Sequence, residues 1–346
     1  MFVQGMRDYE VGYLEEVRAH LQDAIDEETA ASAVAYARNL IEHRFPPIFD
    51  SGHLAHVVGV SPQIFGYVSS FPEAFYSSFR IAKRGGGSRL IEAPTPALKR
   101  IQHWIQRNIT SNLWSHDASH GFVRERSIVT NAAPHVRSRL VLKIDLRDFF
   151  GTVEREQVYR IFRRVGYTRQ IAGLLTSLTT KDGHLPQGAP TSPDLANHAA
   201  YVLDVRLSAL AHRNRMTYTR YADDLTFSGP GAEVPRVRRV IEHIIRSQAF
   251  SPQDKKERFM RPSERQSVTG ITVNEKLTWP RDRRRWLRQE IYYLRKYGLD
   301  EHLKRRRYTR ARYKEFIYGH AYALHSVQPE LAKGLLAELD LVDWNY

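Results

Sequence analysis

The sequence predicts an α+β protein in which an antiparallel sheet is backed by helices. An apolar run rich in β-branched residues at 140–145 is typical of a buried central strand, and residues 216–228 have the pattern of a β-hairpin. Amphipathic patterns predict helices near residues 10–43, 53–70, 96–112, 154–164, 168–178, 192–210, 234–248 and 281–340, with further strands near 267–273. At 346 residues the chain can hold two or three subdomains.

Three acids fall at the ends of the two predicted strand segments. Asp223 and Asp224 are adjacent at the turn of the hairpin, and Asp145 ends the buried strand. If these strands lie side by side, the acids can hold two Mg²⁺ ions about 4 Å apart, an arrangement suited to phosphoryl transfer. Each acid also has an ordinary interpretation, since Asp-Asp favours exposed turns and Asp145 could simply end a strand or cap a helix.

Five short motifs and the isolated Asp145 follow one another over roughly residues 50–320. The motifs are a basic, glycine-rich segment at 81–89, Asn-Ala-Ala-Pro-His at 131–135, a Gly- and Pro-rich segment at 185–193, Tyr-Ala-Asp-Asp at 221–224 and Val-Thr-Gly at 268–270. In this order they resemble bacterial retron-type reverse transcriptases. Asp145 is similar to the family's first catalytic aspartate, and 221–224 to its catalytic turn. The segment at 81–89 is similar to the fingers hairpin, 185–193 to the segment that packs on template and nucleotide, and the other two motifs to the retron signatures Asn-Ala-x-x-His and Val-Thr-Gly.

The resemblance implies a right-hand polymerase with fingers, palm and helical thumb. It implies that Asp145, Asp223 and Asp224 are catalytic and that they hold the two Mg²⁺ ions together with Leu146, with Mn²⁺ as a possible substitute. The expected divisions are an N-terminal helical segment (1–50), fingers (51–135), a palm (136–265, with fingers elements near 154–190) and a basic thumb with the C-terminal region (266–346).

Basic residues are expected around the nucleotide. Lys83 and Arg89 flank three glycines, so a flexible hairpin tip could fold both side chains over a triphosphate, although an ordinary basic loop has the same pattern. One of Lys255 and Lys256, with Lys255 as the first candidate, could protonate the leaving pyrophosphate. Solvated surface lysines are the alternative.

Uncharged residues complete the expected nucleotide site. Gly188 would let the backbone approach a ligand closely, and the Gln187 amide could hydrogen-bond it, although a plain loop before a helix is the alternative. By resemblance Phe150 occupies the steric-gate position that excludes a ribose 2′-OH. Phe149 is expected in the core.

The charge of the chain is strongly and unevenly positive. Lys and Arg total 52 against 38 acids, a net charge of +14. Residues 281–314 hold 14 basic and 4 acidic residues (net +10), whereas the first 42 residues hold 3 basic and 9 acidic (net −6). Arginines interleaved with aromatic residues are typical of nucleic-acid binding, although a solvated face or a membrane-surface helix is also possible.

Predicted RNA contacts combine this charge with the retron signatures: Arg284, Arg288, Arg305, Arg306, Asn131, His135, Val268, Thr269 and Gly270. For the signature residues the alternatives are structural: a hydrogen-bonded histidine that organises a loop, and a strand bounded by a glycine turn.

Several classes are disfavoured. The chain has no cysteine, which excludes disulfides and cysteine-based zinc sites, and it has neither a membrane-length apolar run nor a secretory signal at its start. We therefore expect a cytoplasmic protein.

The expected function is an RNA-directed DNA polymerase of the retron type. The resemblance implies that a structured noncoding RNA serves as template and primer, that dNTPs are joined to an RNA 2′-OH, and that the product is single-stranded DNA (msDNA). An effector protein encoded nearby and a role in phage defence are inherited expectations. The alternatives are an intron-encoded or diversity-generating reverse transcriptase, and a non-polymerising RNA-binding protein of the same fold.

Overall fold

The computed structural model describes residues 26–82, 86–253, 256–307 and 312–344. Lys83, Lys255 and the start of the helix predicted from residue 10 lie outside the described residues. The chain forms two compact units that alternate along the sequence. The first unit comprises Met1–His116, Asp148–Leu203 and Gln248–Phe250, and the second comprises Asp117–Arg147, Asp204–Ser247 and Ser251–Tyr346.

The described residues form an α+β fold. The helices are α1 (Glu27–Glu42), α2 (Ser51–Val58), α3 (Pro62–Ser70), α4 (Pro96–Asn108), α5 (Ile128–Ala132), α6 (Arg155–Val165), α7 (Arg169–Thr179), α8 (Ser192–Ala199), α9 (Tyr201–Arg213), α10 (Glu233–Ser247), α11 (Arg281–Arg306), α12 (Tyr313–His325) and α13 (Pro329–Asp340). The strands are β1 (Tyr76–Ala82), β2 (Ser88–Pro94), β3 (Leu140–Asp145), β4 (Thr217–Tyr221), β5 (Asp224–Gly229), β6 (Arg258–Met260), β7 (Ser267–Val268) and β8 (Ile271–Thr272). No described helix is both long and apolar enough to cross a membrane.

The first unit packs helices around α4 and a two-stranded hairpin. The apolar stripe predicted for α4 is confirmed, because Leu98, Ile101 and Ile105 are completely buried. Gln102 lies on the same buried face, and its amide donates to the Leu178 carbonyl at 2.8 Å. Strands β1 and β2 pair antiparallel over their full length.

The second unit is built on a four-stranded antiparallel sheet with the order β4-β5-β3-β6. The predicted strand at 140–145 is the central strand β3, and Leu140, Val141, Leu142 and Ile144 are all buried there. A strand covered on both faces requires such a continuous apolar run. The predicted hairpin is β4–β5, which is therefore also confirmed.

Two helical predictions change in detail. The helix predicted at 192–210 is two helices, α8 and α9, which meet at Ala200. No glycine or proline marks this break in the sequence. By contrast, α11 bends at Gly298, whose φ of 74° lies in the left-handed region that glycine tolerates.

A buried polar cluster joins the two halves of α11 across this bend. The Glu290 carboxylate accepts hydrogen bonds from Tyr313 Oη at 2.6 Å and from His302 Nε2 at 2.8 Å. Glu290 lies before Gly298 and His302 after it. Hydrogen bonding satisfies the buried carboxylate and fixes the direction of the second half of the helix.

A buried ion pair underlies the β4–β5 hairpin. The Arg220 guanidinium on β4 is completely enclosed and donates to both carboxylate oxygens of Asp204 on α9, at 2.6–3.1 Å. Tyr218 Oη donates to the same carboxylate at 2.7 Å. Because both charges are removed from water, removing either partner would leave the other as an uncompensated buried charge, which strongly destabilises a fold.

Replacing Asp204 should therefore destabilise the protein strongly. Asp204→Ala leaves the Arg220 charge buried without its partner, and we expect a loss of about 3–5 kcal/mol in the free energy of unfolding, measured with urea. Glu330→Ala is the control, because it removes an exposed ion pair to Lys333, and it should cost at most about 1 kcal/mol. Equal losses in the two variants would contradict this interpretation of the buried pair.

Candidate active site

Three carboxylates come together where β3 and β5 end. Asp145, the last residue of β3, pairs directly with Asp224, the first residue of β5. Asp223 precedes it in the turn, and its carbonyl accepts a hydrogen bond from the Leu146 amide at 2.8 Å. The predicted pairing of the two strand segments is therefore present, and the strand register itself sets these acids side by side.

Two lysines neutralise part of this negative charge. Lys256 Nζ lies 2.8 Å from Asp145 Oδ1, and Lys143 Nζ lies 2.6 Å from Asp224 Oδ2. Lys143 precedes Asp145 by two residues on β3, so both side chains leave the same face of the sheet. Lys256 reaches the site because the segment before β6 continues alongside β3, with the Gln253 amide donating to the Asp145 carbonyl at 2.7 Å.

The two lysines do not fully compensate the negative charge of the three carboxylates. Burial raises the pKa of Asp223, and the neighbouring charges of Asp145 and Asp224 raise it further. Burial also raises the pKa of Asp224, although Lys143 acts in the opposite direction. Asp224 Oδ1 is enclosed and has no hydrogen-bond partner among the described residues. A buried oxygen without a donor is costly, so the site gains by adding a cation.

Hard divalent cations fit this donor set. In the described part of the chain, no three acidic or histidine side chains form a ready-made metal cage. Asp145 and Asp224 instead form ion pairs with Lys256 and Lys143. All the available donors are oxygens, which Mg²⁺ and Mn²⁺ prefer. Leu146 could contribute only through its main chain, since its side chain is an apolar part of the core.

The turn that carries Asp223 has an unusual backbone. Ala222 has a φ of 55°, which is unfavourable for a residue with a Cβ. Its carbonyl accepts a hydrogen bond from the enclosed Arg220 guanidinium at 3.1 Å. Gly121 lies against the same turn, and a Cβ there would stand 2.5 Å from the Ala222 nitrogen. These contacts keep the turn, and with it Asp223, in place.

His135 supports the hairpin from within the core. Its Nδ1 lies 2.7 Å from Ser228 Oγ on β5, and its Nε2 lies 2.8 Å from Thr219 Oγ1 on β4. The ring is fully buried, and burial lowers its pKa to about 3. The ring is therefore neutral, and it ties both strands of the hairpin together.

The two retron signatures meet inside the second unit. Val268 is completely buried, while Thr269 and Gly270 form a two-residue turn in which both residues have positive φ, 46° and 84°. The Thr269 hydroxyl donates to the Ile128 carbonyl at 3.0 Å, which attaches the β7–β8 hairpin to helix α5. Asn131 on α5 is also enclosed, and its side-chain amide has no hydrogen-bond partner among the described residues.

This placement bears on part of the RNA-binding prediction. The side chains of Asn131, His135 and Val268 are completely enclosed, so they contact other residues of the protein, and their contact with RNA stays a prediction. The structural alternatives, a hydrogen-bonded histidine and a strand bounded by a glycine turn, agree with the contacts.

The predicted nucleotide-binding residues that are described lie in the first unit. Arg89 is exposed on β2, opposite Ile81. Phe150 is half-buried, whereas Phe149 is buried as predicted.

The loop at 187–188 packs on β2. Gln187 is half-buried, and its carbonyl accepts a hydrogen bond from the Glu92 amide at 2.9 Å. Gly188 approaches the same strand closely, since a Cβ on it would lie 2.9 Å from the Glu92 carbonyl oxygen. The backbone at Gly188 therefore approaches another strand of the protein closely, and its predicted approach to a ligand stays a prediction.

The predicted arginines of α11 differ in their environment. Arg305 donates to Glu301 at 2.8 Å and lies over the Tyr297 ring, and Arg306 pairs with the buried Glu290. Arg288 is exposed, and Arg284 is half-buried.

Sequence reasoning missed Lys143 and the buried pair of Arg220 with Asp204. Lys143 could have been found, since alternation along β3 puts it on the same face as Asp145. Lys256 is one of the two lysines predicted near the leaving pyrophosphate, and the other, Lys255, lies outside the described residues. The buried pair of Arg220 with Asp204 joins residues on a strand and a helix, and no local pattern signals it.

The sequence is similar to known proteins over much of its length. The family described as "Reverse transcriptase (RNA-dependent DNA polymerase)" matches residues 81–279. The chain is 36% identical over 299 residues to the Retron Mx162 reverse transcriptase of Myxococcus xanthus, covering 76% of this chain and 60% of that protein. It is 40% identical over 236 residues to the Retron Mx65 reverse transcriptase of the same species, covering 63% of this chain and 55% of that protein.

The chain is also similar to a protein from a second organism. The chain is 36% identical over 223 residues to the Retron Ec86 reverse transcriptase of Escherichia coli, covering 63% of this chain and 70% of that protein. It thus spans less than two thirds of the length of the two Myxococcus relatives.

The neutral state of His135 predicts a pH dependence of stability. In the unfolded chain this histidine titrates near 6.5, whereas in the folded chain its pKa is about 3. The unfolded state therefore binds the proton first as the pH falls, and stability decreases below about pH 6.5. Between pH 7 and pH 5, this residue should remove about 2 kcal/mol of unfolding free energy.

His135→Gln isolates this contribution, because glutamine does not titrate. Urea unfolding of both proteins at several pH values should show a shallower decline in the variant than in the wild type. Parallel curves would mean that His135 is not held neutral.

Proposed function

Because the chain belongs to the reverse transcriptase family, and within it to the bacterial retron type, we propose that it is an RNA-directed DNA polymerase. It copies part of a structured noncoding RNA into single-stranded DNA from dNTPs and starts at an RNA 2′-OH. The observation that carries this proposal is the pairing of Asp145 with Asp224, beside Asp223, with one buried carboxylate oxygen left without a donor.

The carboxylates of Asp145, Asp223 and Asp224, with the main chain of Leu146, would hold the divalent cations. Two bound Mg²⁺ ions, or Mn²⁺ in their place, supply activation of the attacking hydroxyl and neutralisation of the transferred phosphate.

The chain's own residues prepare the acids for this. Lys143 and Lys256 form ion pairs with Asp224 and Asp145 and hold these carboxylates in place. The Lys256 ammonium lies beside the carboxylates, where it is suited to donate a proton to the leaving pyrophosphate. Arg220 fixes the Ala222 carbonyl and with it the direction in which the turn presents Asp223.

We assign the remaining roles by resemblance. Lys83 and Arg89 bind the triphosphate, Gln187 and Gly188 shape the loop beside the template, and Phe150 excludes the ribose 2′-OH. The first unit would supply most of the fingers, and the sheet of the second unit the palm. Helices α11 to α13 would form the thumb, whose exposed arginines contact RNA.

Two alternatives differ in ways that can be tested. An intron-encoded or diversity-generating reverse transcriptase would share the carboxylates, but the two retron signatures and the similarity to retron reverse transcriptases favour the retron type. A non-polymerising RNA-binding protein would have no use for the undercompensated acids. A role in phage defence and an effector protein encoded nearby remain part of the proposal.

Primer extension with Asp223→Asn tests the polymerase. On a primed RNA with dNTPs and Mg²⁺, the wild type should synthesise DNA. The variant should lose at least about 100-fold in rate, because the amide cannot supply the negative charge that the cations require. Its RNA binding should be retained.

Asp300→Asn is the matched control, since it removes one exposed acid from α11. It should extend primers at the wild-type rate. If the wild type incorporates no dNTP on any primed RNA, or if Asp223→Asn remains active, the proposal fails.

Phe150→Ala tests the steric gate. Removing the ring should create space for a 2′-OH, so the variant should incorporate ribonucleotides at least about 10-fold better relative to dNTPs than the wild type does. The dNTP rate of the same variant serves as the internal control. Unchanged sugar discrimination in an active variant would remove Phe150 from this role.

A further inference from the structure

A pocket lined by arginines lies in the second unit, where the β7–β8 hairpin meets the start of α11. Its volume is about 580 Å³. Four arginines and one acid contribute to its wall: Arg265, Arg281, Asp282, Arg284 and Arg285. The pocket is separate from the carboxylate site and carries a formal net charge of +3 from these five residues.

This positive charge is largely uncompensated within the protein. The Arg265 guanidinium lies 3.8 Å from the Asp282 carboxylate. Within the described ranges, Arg281, Arg284 and Arg285 form no ion pair with a carboxylate. Arg284 Nε is enclosed and donates to no described acceptor. An enclosed charged donor without an acceptor is unfavourable, and the neighbouring guanidinium groups repel one another.

The position on the helix adds to this cost. Arg281, Arg284 and Arg285 fall within the first five residues of α11, a helix of 26 residues. The start of a helix carries partial positive charge, which favours anions there and disfavours cations. Three arginines that line one pocket at this end would therefore be stabilised by an anion bound between them.

The lining identifies the kind of anion. Guanidinium groups bind phosphate oxygens in pairs through their planar N–H donors, and the other polar residues of the pocket wall are Thr272 and Thr278. No base can stack on Trp279, because this ring is buried and its face is covered by Arg283, whose guanidinium lies 5.4 Å from the ring centroid. The pocket thus suits a backbone phosphate better than a base.

We propose that this pocket binds a backbone phosphate of the RNA on which the enzyme acts. The proposal rests on the proposed function for the identity of the ligand. One phosphate contributes affinity without sequence preference and fixes where the strand crosses the start of α11. The pocket therefore positions the RNA and takes no part in the chemistry.

The test compares two double variants that remove the same charge. Arg284→Gln with Arg285→Gln changes the pocket. Arg236→Gln with Arg239→Gln changes two exposed arginines on α10 that form no ion pair among the described residues. A fluorescein-labelled uridine RNA of about 20 nucleotides is titrated at several salt concentrations without dNTPs, so that binding is measured apart from synthesis.

The pocket variant should bind about 10-fold more weakly, and the slope of log affinity against log salt should decrease in magnitude by about one, as expected for one lost phosphate contact. The α10 variant should lose less than about threefold. Arg284→Lys with Arg285→Lys keeps the charge but loses the planar donors, so its affinity should fall between those of the pocket variant and the wild type.

The proposal would be overturned if the two glutamine double variants bound RNA with equal affinity, or if the lysine double variant bound RNA as tightly as the wild type. Binding loss for a DNA strand of the same length with RNA binding unchanged would also overturn it. Primer extension by the wild type separates this result from the proposed function. If the wild type extends primers but the two double variants bind RNA equally well, only the phosphate-pocket proposal is refuted. If the wild type does not extend primers but the pocket variant alone loses RNA affinity, only the polymerase proposal is refuted.

Discussion

The repulsion between carboxylates at the end of the β3–β5 pair is the constraint on which the second unit depends. At an effective dielectric constant of 20, two unit charges 4 Å apart interact by about 4 kcal/mol, which is comparable to the stability of many whole domains. Direct pairing of Asp145 with Asp224 therefore requires positive charge nearby. Lys143 and Lys256 supply part of it, and the buried Asp224 oxygen without a hydrogen-bond partner shows that further positive charge would be favourable.

The surroundings of the turn follow from the need to hold these acids in a fixed direction. A left-handed Ala222 is stable only if its neighbours enforce it. Arg220 does so through the Ala222 carbonyl, and its own burial requires Asp204 in turn. His135 joins the two strands further from the turn without adding charge. The acids thus stand on a support whose polar groups are paired and buried, consistent with a site that must not move when substrates bind.

Much of this arrangement could be predicted from the sequence. The strand at 140–145, the hairpin at 216–228 and the three acids were predicted from apolar runs, alternation and the resemblance. Each of these signals lies within a short stretch of sequence. The break between α8 and α9 was missed, since no residue at Ala200 signals a change in backbone. Arg220 and Asp204 were missed because their pairing depends on how α9 packs on β4. The signatures that contain His135 and Val268 were found, but their burial depends on tertiary packing and could not be predicted from the sequence.

Sequencing the nucleic acid that copurifies with the protein tests the central claim most directly. The gene would be expressed with its native flanking DNA, beside the same DNA encoding Asp223→Asn. A discrete single-stranded DNA joined to a short RNA, present with the wild type and absent with the variant, is the predicted result. RNA without any such DNA in the wild-type preparation would contradict the retron assignment.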